Sequence, residues 1–221
     1  VKIVKLANHL RLVLQHASDS DILILASAAL GRLARTGGNL NHTVIEFELG
    51  RALEWLKAGD NDHLLSAILI LKNIAENAPS TFFQHVDAFI EYIDVALQAP
   101  KDIVRENAAA ALGSCLTMIS QREPAERERW YNHLYNVSMA GFQRATTASI
   151  HGSLLIVEEL LRHSDEFLAD YFEPICDQVL RLRDHRVRLI RRTVSFLLPR
   201  LAHFDRHVFV REYLRTALKH M

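Results

Sequence analysis

The ten residues LASAALGRLA, Leu25–Ala34, return in altered form as LSAILILKNIA at Leu65–Ala75 and as NAAAALGSCL at Asn107–Leu116. Aligned on their first alanine, the three copies place Ala26, Ala67 and Ala108 at intervals of 41 residues. Looser copies follow in IHGSLLIVEELL (Ile150–Leu161) and VRLIRRTVSFLL (Val187–Leu198). A period of about 40 residues is the mark of paired-helix HEAT or armadillo repeats, in which each hairpin buries its apolar face only against its neighbours. The predicted fold is therefore all-α: a right-handed α-α superhelix of HEAT/armadillo type, with about five helix pairs and ten or eleven helices.

The segments between the copies fit the second helix of each pair. Ile45, Leu49, Ala52, Leu53 and Leu56 fall on one helical face, as do Phe82, Val86, Phe89, Ile90, Ile93 and Leu97. The repeated helices are instead apolar on more than one face. Ile68, Leu69, Ile70 and Leu71 are consecutive, as a helix packed on both sides requires. Breakers mark the turns: Thr36-Gly37-Gly38-Asn39, Ala58-Gly59-Asp60-Asn61, Asn77-Ala78-Pro79-Ser80, Ala99-Pro100-Lys101-Asp102 and Arg122-Glu123-Pro124. Asp102 and Asp184 read as N-caps, and Pro124, followed by Glu126 and Glu128, as a helix start. Pro174 and Pro199 are expected to kink or divide their helices. One array over 1–221 is expected, with approximate repeats 1–36, 40–77, 80–120, 124–163 and 166–204, and the start of another at 205–221.

Composition narrows the function. Hydrophobic residues make up 49% and charged residues 24%, enough for a sizeable core. Only eight glycines and five prolines argue against a turn-rich β-fold. Acids and bases balance at 26 each, so the chain as a whole is no electrostatic binder of nucleic acid. Cys115 and Cys176 sit in apolar helical runs and read as buried reduced thiols, which favours a cytosolic or nuclear setting. No run has the length of a transmembrane segment. Two N-glycosylation sequons, at Asn41 and Asn136, carry no weight in that setting. The first helix (Ile3, Val4, Leu6, Ala7, Leu10, Val13, Leu14) and the last (Val208, Phe209, Val210, Tyr213, Leu214, Leu218) are apolar around much of their surface. Such ends suit a piece of a longer array, or ends covered by a partner.

Several stretches resemble the N-terminal HEAT-repeat region of the target-of-rapamycin (TOR) serine/threonine protein kinases. They are ASAALGRLA (Ala26–Ala34), EFELGRALEWL (Glu46–Leu56), STFFQHV (Ser80–Val86), IVRENAAAALGSCLTMISQRE (Ile103–Glu123), IHGSLLIVEELL and LLPRLAHF (Leu197–Phe204). Generic repeat character explains the alanines and leucines. It does not explain Glu54-Trp55, Phe82-Phe83-Gln84 or Gln121-Arg122-Glu123. The resemblance implies a non-catalytic scaffold segment of a large protein kinase, with its kinase domain elsewhere in the parent chain. It also implies docking of accessory subunits of the Raptor type in a growth-signalling complex (TORC1), contact with the rest of the TOR chain, and a small GTPase as a further partner. The complex would be cytoplasmic, or peripheral at endomembranes. The resemblance also implies turns that can be longer in relatives near Ala145–Ser149 and His163–Asp170, with residues expected to be missing from the sequence there. The alternative reading is a stand-alone HEAT adaptor in transport or nucleic-acid processing.

No catalytic motif, cofactor site or metal site is expected. Gly31, Gly37 and Gly38 end a helix and lack the Lys-Ser/Thr of a phosphate-binding loop. His203 and His207 share a face only if one helix runs through both, and a zinc site needs another ligand. Ser114 and Cys115 are nucleophiles by type, with no base beside them. The sharpest polar feature is the run Arg181, Arg183, Arg186, Arg188, Arg191, Arg192 and Arg200. Helical spacing aligns Arg181 with Arg188, and Arg188 with Arg191 and Arg192. These four are the candidate partner-binding face. A solvated surface, an acidic protein partner and nucleic acid all remain open, with no stacking aromatics expected to alternate with these arginines.

Overall fold

The computed structural model describes residues 2–36, 39–122 and 124–218. Gly37, Gly38 and Glu123, which fall in two of the expected turns, lie outside the described residues. Among the described residues every element is helical, and none is a strand. The helices are α1 (Lys2–His16), α2 (Ser20–Arg35), α3 (Asn39–Ala58), α4 (Leu64–Asn77), α5 (Pro79–Phe83), α6 (Val86–Leu97), α7 (Asp102–Ile119), α8 (Pro124–Phe142) and α9 (Thr147–His163). A 3-10 helix (Asp165–Tyr171) precedes α10 (Phe172–Arg181) and α11 (Arg188–Phe204). The last helix is broken into α12 (Arg206–Val208), a π-turn (Phe209–Tyr213) and α13 (Leu214–Ala217). Residues 1–118 and 119–221 form two compact units.

In the first unit the repeated helices take the central positions. Ala26, Ala67 and Ala108 are buried on α2, α4 and α7. Helix α4 packs against both α2 and α3, which is why Ile68, Leu69, Ile70 and Leu71 are all buried. Burying a leucine or isoleucine contributes about 1.5–3 kcal/mol, so a helix covered on both flanks is the main store of stability in its hairpin. Gly31 marks the α2–α4 crossing. A β-carbon there would lie 2.9 Å from Asn77 Nδ2 and 3.0 Å from Asn73 Cβ, so glycine lets the two helices meet. Gly59, at φ 64°, turns the chain after α3 in the left-handed conformation that glycine adopts without strain. The face of α3 is buried through Ile45, Leu49, Ala52 and Leu56, and that of α5–α6 through Phe82, Val86, Phe89, Ile90, Ile93 and Leu97.

The second unit repeats the scheme. Helix α9 packs between α8 and α11, and α10 packs on α11. Ile150, Leu154, Val157 and Leu160 of α9 are buried, as are Ile190, Val194, Leu197 and Leu201 of α11.

Local chemistry departs from expectation at several points. Asp102 is the first residue of α7, and its carboxylate receives the guanidinium of buried Arg105 instead of capping amides. Asp184 lies in the α10–α11 turn, pairs with Arg183, and leaves the N-cap of α11 to Val187. Side-chain caps are formed by Asp19, whose carboxylate accepts from Asp21 N and Ile22 N, by Thr146, which accepts from Ser149 N, and by Asp205, which accepts from Val208 N. Pro174 sits in the first turn of α10, where proline's missing N–H costs nothing, and the chain before it is 3-10. Pro199 does not divide α11, which runs through it to Phe204. The carbonyl that loses its i+4 partner to proline belongs to Ser195, an exposed residue.

Apolar side chains remain exposed on the first hairpin: Leu6 and Leu12 on α1, and Ile22, Ile24 and Leu25 (72%) on α2. In the last helix Phe209 is buried, whereas Val210 and Leu218 are exposed.

Candidate functional site

The arginine run falls on two helices and the turn between them. Helix α10 ends at Arg181 and α11 begins at Arg188, so these two do not share the helical face that spacing alone assigned to them. Arg181 is exposed at the end of α10. Arg183 donates to Asp184 and to the Thr216 carbonyl. Arg191 donates from Nη1 to the carbonyls of His185 (2.8 Å) and Arg186 (3.1 Å). It therefore braces the turn instead of presenting its fork outward.

Arg188 and Arg192 are one helical turn apart and exposed. The Arg192 guanidinium stands over the Phe196 ring, 5.5 Å from its centroid, and Phe196 is itself 59% exposed. Further along the same face come Pro199 and His203, with Arg200 beside them. The opposite face carries the buried Ile190, Val194, Leu197 and Leu201. The α11 sequence thus sorts itself into a core side and an arginine-aromatic side.

Tertiary packing adds two cations that sequence did not assign to the site. Arg162 of α9 and Arg200 of α11 both reach Glu158 Oε1, at 2.7 and 3.2 Å, and Arg162 also reaches Glu159 at 3.3 Å. Arg200 follows Arg192 and Arg188 at multiples of four residues, so periodicity offered a signal for it. Nothing local linked it to Glu158, which lies on another helix. Next to this pair is a cavity of about 770 Å³ lined by Leu161, Arg162, Glu166, Ala169, Pro199, Arg200, His203, Phe204 and Asp205.

The other singled-out residues fall outside this face. His203 is in α11 and His207 in α12, with the Asp205 break between them, so one helix does not run through both. Among the described residues no group of three or more metal-ligating side chains converges. Ser114 Oγ donates to the Ala110 carbonyl at 3.1 Å, with Glu76 as an alternative acceptor at 3.4 Å. Cys115 and Cys176 are buried and unpaired with each other. Burial pushes both thiols up, that of Cys176 to about 12 with help from nearby Asp177 and Glu173. Such thiols are poor nucleophiles. No helix among the described residues is long and apolar enough to cross a membrane.

A protein of stacked helix hairpins with an exposed arginine-aromatic helix face is a HEAT-type helical-repeat protein. No family model matches the chain. The serine/threonine-protein kinases TOR of Arabidopsis thaliana and of Oryza sativa subsp. japonica are 41% and 42% identical to it, each over 100% of this chain and 9% of the relative. The serine/threonine-protein kinase TOR2 of Saccharomyces cerevisiae is 36% identical over 98% of this chain, again 9% of the relative. The chain belongs to the TOR serine/threonine-protein kinase family and spans about a tenth of the length of these curated relatives.

Proposed function

We propose that this chain is a non-catalytic docking segment of a TOR-type protein kinase, supplying rigid helical surface on which accessory subunits of a growth-signalling complex assemble. The observation that carries the reading is end-to-end similarity to 9% of the TOR kinases by a stretch built, among the described residues, from helix hairpins. Serine/threonine kinase activity then belongs to the rest of the parent chain. The hairpins over 1–221 are read as consecutive repeats of one N-terminal HEAT array, and the segment works in the cytoplasm or at endomembranes as part of its complex. Its partners are a Raptor-type subunit, the remainder of the TOR chain and a small GTPase.

The docking surface is assigned to the arginine-aromatic face of α11, with an acidic protein surface as its complement. Arg188 and Arg192 carry this role, Arg181 extends it, and Arg191 supports it by holding the turn. Charge reversal at Arg188 and Arg192 tests the assignment against a purified Raptor-type subunit. Affinity is expected to fall at least tenfold, about 1.4 kcal/mol, and the loss should shrink as salt is raised. Unchanged affinity at low salt would return these arginines to a solvated face.

A further inference from the structure

The cavity at the far end of α11 has features that a generally basic surface lacks. Leu161 of α9, Ala169 of the 3-10 helix, and Pro199 and Phe204 of α11 give its lining an apolar side. It is an open cleft of about 770 Å³, roomy enough to receive one side chain from solvent. Arg162, Arg200 and His203 contribute to the same lining. Of its two acids, Asp205 already accepts from Val208 N at 2.9 Å, and Glu166 stands on the 3-10 side.

Glu158 orders this arrangement. It receives both Arg162 and Arg200, so two long flexible side chains are held side by side between α9 and α11. A guanidinium has five N–H donors, so Arg162, which meets both Glu158 and Glu159, and Arg200, which meets Glu158, each keep donors for another acceptor. The two side chains are 40% and 38% exposed, open to a visiting group. Arg188 and Arg192 continue the positive charge along α11, where Phe196 adds apolar surface. Single-stranded nucleic acid is a weaker fit, because it needs free aromatic faces on which bases stack. Phe204 is stacked on Phe172 at 5.6 Å, and Phe196 lies beneath Arg192.

We propose that this face binds an acidic peptide segment of a partner protein, which seats one apolar side chain in the α9–3-10–α11 cavity while its carboxylates engage Arg162 and Arg200. The proposal rests on the docking reading above and deepens it by naming the partner's chemistry. A buried apolar anchor with a charged surround is how a small contact gains both affinity and register.

The test uses the full chain and a short fluorescein-labelled peptide of Asp and Glu with one central Phe, followed by anisotropy. Two comparison peptides replace the central Phe by Ala, or every acid by Lys. The acidic Phe peptide is expected to bind, the Ala peptide about tenfold more weakly, and the Lys peptide not at all. The substitution Ala169→Phe fills the cavity without altering charge and should weaken the Phe peptide about tenfold while leaving the Ala peptide unchanged. Arg188→Glu with Arg192→Glu should weaken both acidic peptides. Equal affinity for the Phe and Ala peptides on the unmodified chain overturns the cavity assignment without any variant needing to fold. If charge reversal still costs affinity in that case, the docking reading survives alone. No binding of either acidic peptide, or tighter binding of a single-stranded oligonucleotide than of the Phe peptide, overturns the proposal.

Discussion

Glu48 is 1% exposed on α3 and neutralised by two arginines, Arg11 Nε at 2.8 Å and the guanidinium of Arg51. The Arg51 guanidinium lies over the Trp55 ring at 4.5 Å, and Trp55 stacks in turn on His63. Burial lowers the pKa of Arg51 from its ordinary value, and Glu48 opposes that fall. Removing the one acid leaves two cations with no compensating charge, so Glu48→Gln is expected to destabilise the first unit by about 3–5 kcal/mol. Replacing all three charged residues by apolar ones of similar size should cost far less, because the desolvation penalty goes with the charges. Urea unfolding of both variants checks the pair, and similar losses in the two would show that packing, not charge, dominates. Arg105 follows the same logic in a turn. It is 2% exposed and donates to the carbonyls of Ala99 (2.6 Å) and Pro100 (2.9 Å). Sequence offered no sign that Arg11, Glu48, Arg51 or Arg105 is paired in the core, because Arg11 and Glu48 are 37 positions apart and charge at a buried position leaves no periodic trace.

At the scale of helices, what periodicity controls was legible and what single caps control was less so. The runs around Ala26, Ala67 and Ala108 announced central helices, since a helix covered on two sides has no polar stripe to spare. The amphipathic pattern from Phe82 through Leu97 was equally plain, although the structure divides it into α5 and α6 at Gln84-His85. Asp102 and Asp184 misled because an aspartate near a helix start has several competing partners, and here arginines win both. The arginine face was half legible: spacing grouped Arg188 with Arg192, but it carried Arg181 across a helix break that local propensity does not mark. Arg191 was assigned outward and instead holds its own turn, which only the carbonyls of His185 and Arg186 reveal. Gly31 is the point at which one added methyl acts on two helices. Gly31→Ala would set its β-carbon 3.1 Å from the Asn73 carbonyl oxygen, as well as against the Asn73 and Asn77 side chains. Alanine favours an isolated helix by about 1 kcal/mol, and overpacking opposes it by about 1–3 kcal/mol. Net destabilisation is expected because backbone, not only a movable side chain, stands in the way. A raised melting temperature would show that α2 and α4 part without loss.

For the molecule as a whole, the question is how far a local loss of stability travels. In stacked repeats each hairpin contacts its neighbours alone, so stability is a sum of repeat and nearest-neighbour terms instead of a property of one core. The packing within each unit follows this rule: α4 on α2 and α3 in the first, α9 on α8 and α11 in the second. Glu48→Gln is suited to probe it, since its expected cost is large and its partners Arg11 and Arg51 lie on α1 and α3. Amide hydrogen exchange is expected to speed up across α1–α4, where the ion triad and the helices packed on it sit. Exchange in α9 and α11 should stay at its original rate, because no interaction of the triad reaches them and local opening is confined to cooperative segments. A uniform loss of protection from α1 to α11 would mean that residues 2–218 open as one body, and the nearest-neighbour account would fail. Confinement to α1–α4 would also make the arginine face of α11 separable, so that binding variants such as Arg188→Glu with Arg192→Glu could be compared at constant stability of the first unit.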